Sequence, residues 1–173
     1  PLLELWESTP ADDTHLIHVA RMALRDQLRV PGMYAQARAL TAGDAGKLAR
    51  LAEVSLAITS DASAEFVSQV VRASPLAPGS EALIHHAVRH LPARRLDEVY
   101  GELLGNASGS LGQQVGVLRA IGRGTLERGA KLPASVADQA ALLVRKSLQA
   151  EDEAQVRSGI ELCRDLHTNS FDV

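Results

Sequence analysis

Hydrophobic residues recur along this chain at three- and four-residue steps, the spacing that gathers them on one face of an α-helix. From Asp13 to Arg29 the stripe is Leu16, Ile17, Ala20, Ala23, Leu24 and Leu28, while Arg21, Arg25 and Arg29 fall elsewhere on the wheel. Asp12 or Asp13 can accept the free N–H groups at the helix start. Pro31-Gly32 ends it, because proline disfavours helical geometry at Val30. A short helix is expected from about Met33 to Leu40. The turn Thr41 to Asp44 then leads into a helix carrying Leu48, Leu51, Ala52 and Ile58, and the next carries Phe66, Val67, Val70 and Val71 and stops before Pro75 and Pro78.

Further along, Leu83, Ile84, Ala87, Val88 and Leu91 form a stripe closed by Pro92, and its partner from about Ala93 to Leu104 offers Leu96, Val99, Tyr100 and Leu103. After a turn from Gly105 to Gly109, a helix begins with Leu111, Val115, Leu118 and Ile121. Gly122 and Gly124 predict a bend or an early end there, since glycine weakens helix interiors. Two more helices carry Val136, Ala140, Leu143, Val144 and Ser147, then Val156, Ile160, Cys163 and Leu166, and Asn169 to Val173 reads as an exit segment.

Short turns between such helices make sequential neighbours pack antiparallel. The first helices of successive pairs begin near Asp13, Asp44, Ser80, Leu111 and Asp152, a spacing of about 31 to 41 residues that matches helical-repeat periods. The expected fold is all-α, a degenerate solenoid of the HEAT or armadillo kind, with an irregular multihelical bundle as the alternative. No internal stretch reads as a linker, so residues 1–173 are expected to be one helical-repeat domain.

Composition agrees with this pattern. The chain is 46% hydrophobic but only 3% aromatic, so its core must be aliphatic and a β-sandwich or barrel is excluded. With 18 basic against 21 acidic residues the net charge is -3, which provides no field for gripping a phosphate backbone, and nucleic acid is not an expected partner. The single cysteine, Cys163, excludes an internal disulfide and a four-cysteine metal site. Its place on the apolar stripe predicts a buried, inert thiol. No apolar run approaches the ~18 residues of a membrane span, so membrane insertion is not expected. The start at Pro1 without a leader reads as a piece of a larger protein.

Motifs for chemistry are sparse. Gly46-Lys47 lacks the upstream glycine, the following hydroxyl and the strand of a phosphate-binding loop. Gly122-Arg123-Gly124 has Glu127 where a dinucleotide loop needs its third glycine. Gly105 to Gly109 carries Ser108 at the wrong spacing for a nucleophile elbow. His15, His18 and Met22 share one helix and so cannot take opposite faces of one haem.

His86 and His90, four apart, are the candidate metal ligands, since that spacing can present two imidazoles from one helix face. The sequence shows no third ligand. The competing expectation puts these histidines off the apolar stripe on a solvated or groove-lining face, with Glu81 pairing with His85. Arg21 and Arg25 with His15 and His18 are the candidate interaction surface. Elsewhere, Arg94 with Glu98 and Arg157 with Glu161 read as ordinary four-residue pairs. No catalytic residue and no cofactor are expected.

The stretch from Asp13 to Leu28, DTHLIHVARMALRDQL, resembles a segment of the large haem-binding, membrane-associated dehydrogenase-like proteins of planctomycetes and their relatives. The match covers about one tenth of the chain. In that family a β-propeller dehydrogenase-like module precedes a helical, HEAT-like region, and a cytochrome c module with a Cys-x-x-Cys-His motif follows. The resemblance implies that this chain is the middle helical region, periplasmic or exported. It carries over no haem or dehydrogenase residue, because Cys163 is followed by Arg164-Asp165-Leu166-His167 instead of the haem motif. The function so implied is a non-catalytic scaffold or docking module whose partners are the neighbouring domains. The alternatives are a freestanding interaction solenoid that binds another protein, and a metal-dependent enzyme using His86 and His90.

Overall fold

The computed structural model describes residues 1–73, 75–77 and 79–166. The expected break at Pro78 and the exit segment Asn169 to Val173 lie outside these residues. Among them the chain is all-helical: α1 Leu2–Ser8, α2 Thr14–Leu28, α3 Met33–Leu40, α4 Ala45–Ser55, α5 Asp61–Ala73, α6 Ser80–His90, α7 Ala93–Asn106, α8 Leu111–Glu127, α9 Ala134–Leu148 and α10 Glu153–Leu166.

Local chemistry accounts for the boundaries. Asp13 accepts a hydrogen bond from the Leu16 N–H, and Asp44 accepts one from Lys47, each at 3.0 Å, which satisfies N–H groups that have no partner inside the helix. Ser110 and Gln113 close a capping box on α8. Gly79 starts α6 with a φ of +80°, a left-handed conformation that glycine reaches without steric cost.

One apolar cluster runs from Leu24 to Leu166, with Leu51, Val67, Ile84, Val99, Leu118, Leu143 and Leu162 among its fully buried members. Every extensive helix contact joins elements no more than two apart in chain order. Helices two apart also run side by side in ascending register. Glu65 of α5 meets Arg95 of α7 while Arg72 meets Glu98 and Glu102; on α8, Arg119 meets Glu161 of α10 while Gly122 meets Leu166. Consecutive α5 and α6 are antiparallel, with Ser63 near the start of one against His86 late in the other.

Several expectations are corrected. The early end at Gly122 and Gly124 does not occur, and α8 continues to Glu127. These glycines are points of close approach: a methyl on Gly124 would lie 2.8 Å from the His85 carbonyl oxygen, and one on Gly122 would overlap Leu166. Packing against α6 and α10 outweighs the low helix propensity of glycine. Ile160 is 56% exposed rather than on the inner stripe of α10. The inward face is set by Gly159 seated on Ser147, together with Leu162 and Leu166. Cys163 is half-buried and packs on the core. Ile58, expected within a helix, is buried just past the end of α4.

The expected four-residue ion pairs are replaced by pairs with other partners, one between helices and two within a helix. Glu161 meets Arg119 and Arg157 meets Glu153, while Arg95 rather than Arg94 reaches Glu98. α1 was not expected from the sequence. Its Trp6 lies between Arg21 of α2 and Arg50 of α4, whose guanidinium carbons are 5.4 and 5.6 Å from the ring centroid.

Candidate functional site

A groove of about 800 Å³ lies between α6 and α8, closed at one end by the turn before α6. Leu76, Ala77, Val117 and Ala120 give it apolar walls, and five ionisable side chains border it: Glu81, His85, Arg119, Arg123 and Glu127. Two of these are neutralised by neighbours. Arg119 bonds Glu161 and Asp165, both at 2.8 Å, and Glu127 lies 2.7 Å from Arg89. Burial works to raise the Asp165 carboxyl, but hydrogen bonds and charge from Arg119 and Arg164 outweigh it and hold the group below the usual carboxylate range.

His85 Nε2 lies 3.0 Å from Glu127 without the alignment of a hydrogen bond, so it is buried with no hydrogen-bond partner. The expected pairing of His85 with Glu81 is thus replaced by proximity to α8. Glu81 instead rests its carboxylate against the bare backbone of Gly116. Neither Glu81 nor Arg123 has an ion-pair partner among the described residues.

The two candidate metal ligands do come together, with the rings of His86 and His90 4.9 Å apart. His86 is only 5% exposed, which corrects the expectation of a solvated face, while the groove-lining expectation holds: His85, His86 and His90 all border a groove of about 310 Å³ beside Leu56, Thr59 and Arg89. Helix α6 is packed between α5 and α8, and so buries a position off its main stripe.

His86 Nε2 lies 3.0 Å from Ser63 Oγ, a serine–histidine pair that sequence reasoning missed. The single hydroxyl proton of Ser63 is donated to the Ser55 carbonyl at 2.8 Å. Ser63 must therefore accept from His86, which fixes the Nε2–H tautomer. This polarity is the reverse of what an activated serine requires, and Ser63 is fully buried. Burial, together with the charges of His90, His85 and Arg89, lowers the His86 pKa to about 4. His90 is lowered as well, by partial burial first and by Arg89 next. Among the described residues no group of three or more His, Cys, Asp and Glu side chains is arranged to hold a metal ion.

The candidate interaction residues divide. His18, Arg21 and Arg25 border a groove of about 300 Å³ between α2 and α4, beside Met22 and Glu53. His15 is exposed and not among the residues that border it. Arg21 is bonded to Glu53 at 2.7 Å and Arg25 to Asp26 at 3.0 Å, so much of this basic charge is neutralised in place.

Among the described residues no helix is long and apolar enough to cross a membrane. In comparisons with known proteins, no family model, no curated protein and no solved structure matches the chain.

Proposed function

We propose that the chain is a non-catalytic helical-repeat module of the HEAT or armadillo kind, which docks or spaces the other domains of a larger haem-binding dehydrogenase-like redox protein. The observation that carries this reading is the packing pattern. Helices bury their stripes against elements one or two steps away, and ion pairs tie α5 to α7, α6 to α8 and α8 to α10 in the manner of stacked layers. Such stacking produces long faces and inter-helix grooves on which a partner surface can lie. The redox parent rests on the resemblance of Asp13 to Leu28 alone. In that segment Ala20, Leu24 and Leu28 face the core and His18, Arg21 and Arg25 border the α2 and α4 groove.

Calorimetric titration of the chain with the separately produced propeller-like and cytochrome modules tests the reading. Saturable binding to at least one is expected. No association with either, together with full activity of a parent lacking this region, contradicts it.

The convergence of the His86 and His90 rings favours a second, smaller reading, a divalent metal held by the two imidazoles. Nε2 of His86 is engaged with Ser63, so Nδ1 would be its ligating atom. Metal analysis of purified protein, alone and with both histidines changed to alanine, decides this. Substoichiometric metal in both preparations ends it.

A further inference from the structure

Helix α1 is attached differently from the others. Among the described residues it is the one helix with no buried residue, and its Leu2, Leu3 and Trp6 are only half-buried where they pack against the core. Its specific contacts are aromatic and ionic. The Trp6 ring lies between the guanidinium groups of Arg21 on α2 and Arg50 on α4, and the Glu7 carboxylate bonds Arg50 at 2.8 Å and lies 3.9 Å from Lys47. Asp44 first, and then the charges of Glu7 and Glu4, raise the Lys47 pKa, so α1 brings negative charge to a basic seat. Even with α1 in place, the Arg21 and Arg50 side chains are 42% and 36% exposed.

The seat is one end of a longer seam. Along α4, Lys47 and Arg50 contact α1, while Glu53, Val54 and Ala57 border the open groove of about 300 Å³ shared with α2. Arg21 belongs to both parts, and Met22, 41% exposed, borders the open one.

We propose that the seat on α2 and α4 now held by α1 binds a short acidic helix of a partner protein, with α1 as its exchangeable internal stand-in. The proposal rests on the docking reading above and names the partner's chemistry. The occupant is read from α1 itself. It carries an aromatic side chain for the space between Arg21 and Arg50, a carboxylate one residue later for Arg50 and Lys47, and aliphatic residues three and four positions earlier on the same helix face, as Leu3 and Leu2 stand before Trp6. A helix longer than α1 can continue to the exposed Met22 in the open groove. Because α1 is tethered through residues 9–13, it competes with any such helix, and the partner's apparent affinity is lowered by the fraction of chains whose seat is taken. With α1 seated in roughly nine chains of ten, the loss is about tenfold.

A peptide with the sequence of residues 1–9, titrated into the isotope-labelled full chain and followed by amide shifts in nuclear magnetic resonance, tests the proposal. In Trp6→Ala, which loosens α1, the peptide should shift the amides around Arg21, Lys47 and Arg50 and saturate at a concentration roughly tenfold lower than in the unaltered chain. Arg50→Glu added to Trp6→Ala should remove most of that binding, whereas Arg38→Glu, an exposed change on α3, should leave it unaltered. The same peptide carrying Trp6→Ala should not bind. Circular dichroism of each variant verifies that it is folded.

No binding to Trp6→Ala, equal saturation in the two chains, or binding indifferent to Arg50→Glu overturns the proposal. Dimerisation of the unaltered chain that is lost in Trp6→Ala also overturns it, and assigns the seat to α1 of a second copy. The two readings fail separately. If the neighbouring domains bind Trp6→Ala no more tightly than the unaltered chain, the seat assignment fails and the docking module stands. If the peptide binds as expected but the neighbouring domains do not bind, the redox-parent reading fails and the seat stands.

Discussion

Proton accounting at His86 has a consequence for stability. Its imidazole is buried and neutral, donating to Ser63, and its pKa is about 4 against an ordinary 6.5. The unfolded chain binds that proton more readily, so the contribution of neutral His86 is fully present above about pH 6.5 and is lost as pH falls toward 4. A depression of this size corresponds to at most ~3 kcal/mol, with His90 acting in the same direction. Unfolding free energies from urea titrations should be level from pH 8 to 7 and fall between pH 6.5 and 4.5, and His86→Gln should flatten the fall. A level profile in the unaltered protein contradicts this burial.

Two glycines of one helix should respond differently to alanine. At Gly124 the new methyl would meet the His85 carbonyl and the Val88 Cβ, which the backbones fix in place. At Gly122 it would meet the flexible tip of Leu166. Gly124→Ala should cost about 1–3 kcal/mol despite the better helix propensity of alanine, while Gly122→Ala should be near neutral if Leu166 changes rotamer. Denaturant midpoints of the two variants measure the contrast.

At the scale of single elements, α1 is the most locally held piece. It contributes no fully buried residue and docks through Trp6 between Arg21 and Arg50, with Glu7 bonded to Arg50 at 2.8 Å. Each cation–π contact is worth about 0.5–1 kcal/mol at an exposed site, so α1 should detach before the body unfolds. Trp6 is the only tryptophan, which makes its emission a clean report. Its transition in urea should precede loss of far-ultraviolet circular dichroism, and Trp6→Ala should leave the dichroism transition within ~1 kcal/mol of the unaltered chain. Coincident fluorescence and dichroism transitions contradict the local clamp.

The helices from α2 to α10 were legible in the sequence because each carries an aliphatic stripe and most are bounded by a proline, a glycine or a capping side chain. α1 was not, because Leu2, Leu3 and Trp6 make too short a stripe to register as a period. What escaped elsewhere depends on neighbours brought in by tertiary packing. His86 is buried because α6 has helices on two sides. Arg119 finds Glu161 and Asp165 more than forty positions away. The α8 glycines serve close contacts that their propensity argues against. For the candidate sites, the four-residue spacing of His86 and His90 was legible and their rings do meet, whereas the groove that Arg21 and Arg25 border between α2 and α4 had no sequence signal. The Ser63 pairing and the α6 and α8 groove had no local signal.

Across the whole molecule, helices pack from neighbour to neighbour: α2 to α4, α5 to α6 and α7, α6 to α8, and α8 to α9 and α10. In the repeat stacking proposed above, no single centre unfolds everything at once when lost, and the ends should open at lower cost than the middle. The inner helices α5, α6 and α8 share the densest packing, with Val67, Ile84, Ala87, Val88 and Ile121 almost fully buried. Native-state hydrogen exchange of the full chain, followed amide by amide in low concentrations of denaturant, is the most direct test of that stacking. The account predicts graded openings, with α1 and α2 at one end and α9 and α10 at the other exchanging through cheaper, smaller unfolding events than α5, α6 and α8. Convergence of the slow amides of all these helices on one opening free energy, with one denaturant dependence, would contradict it.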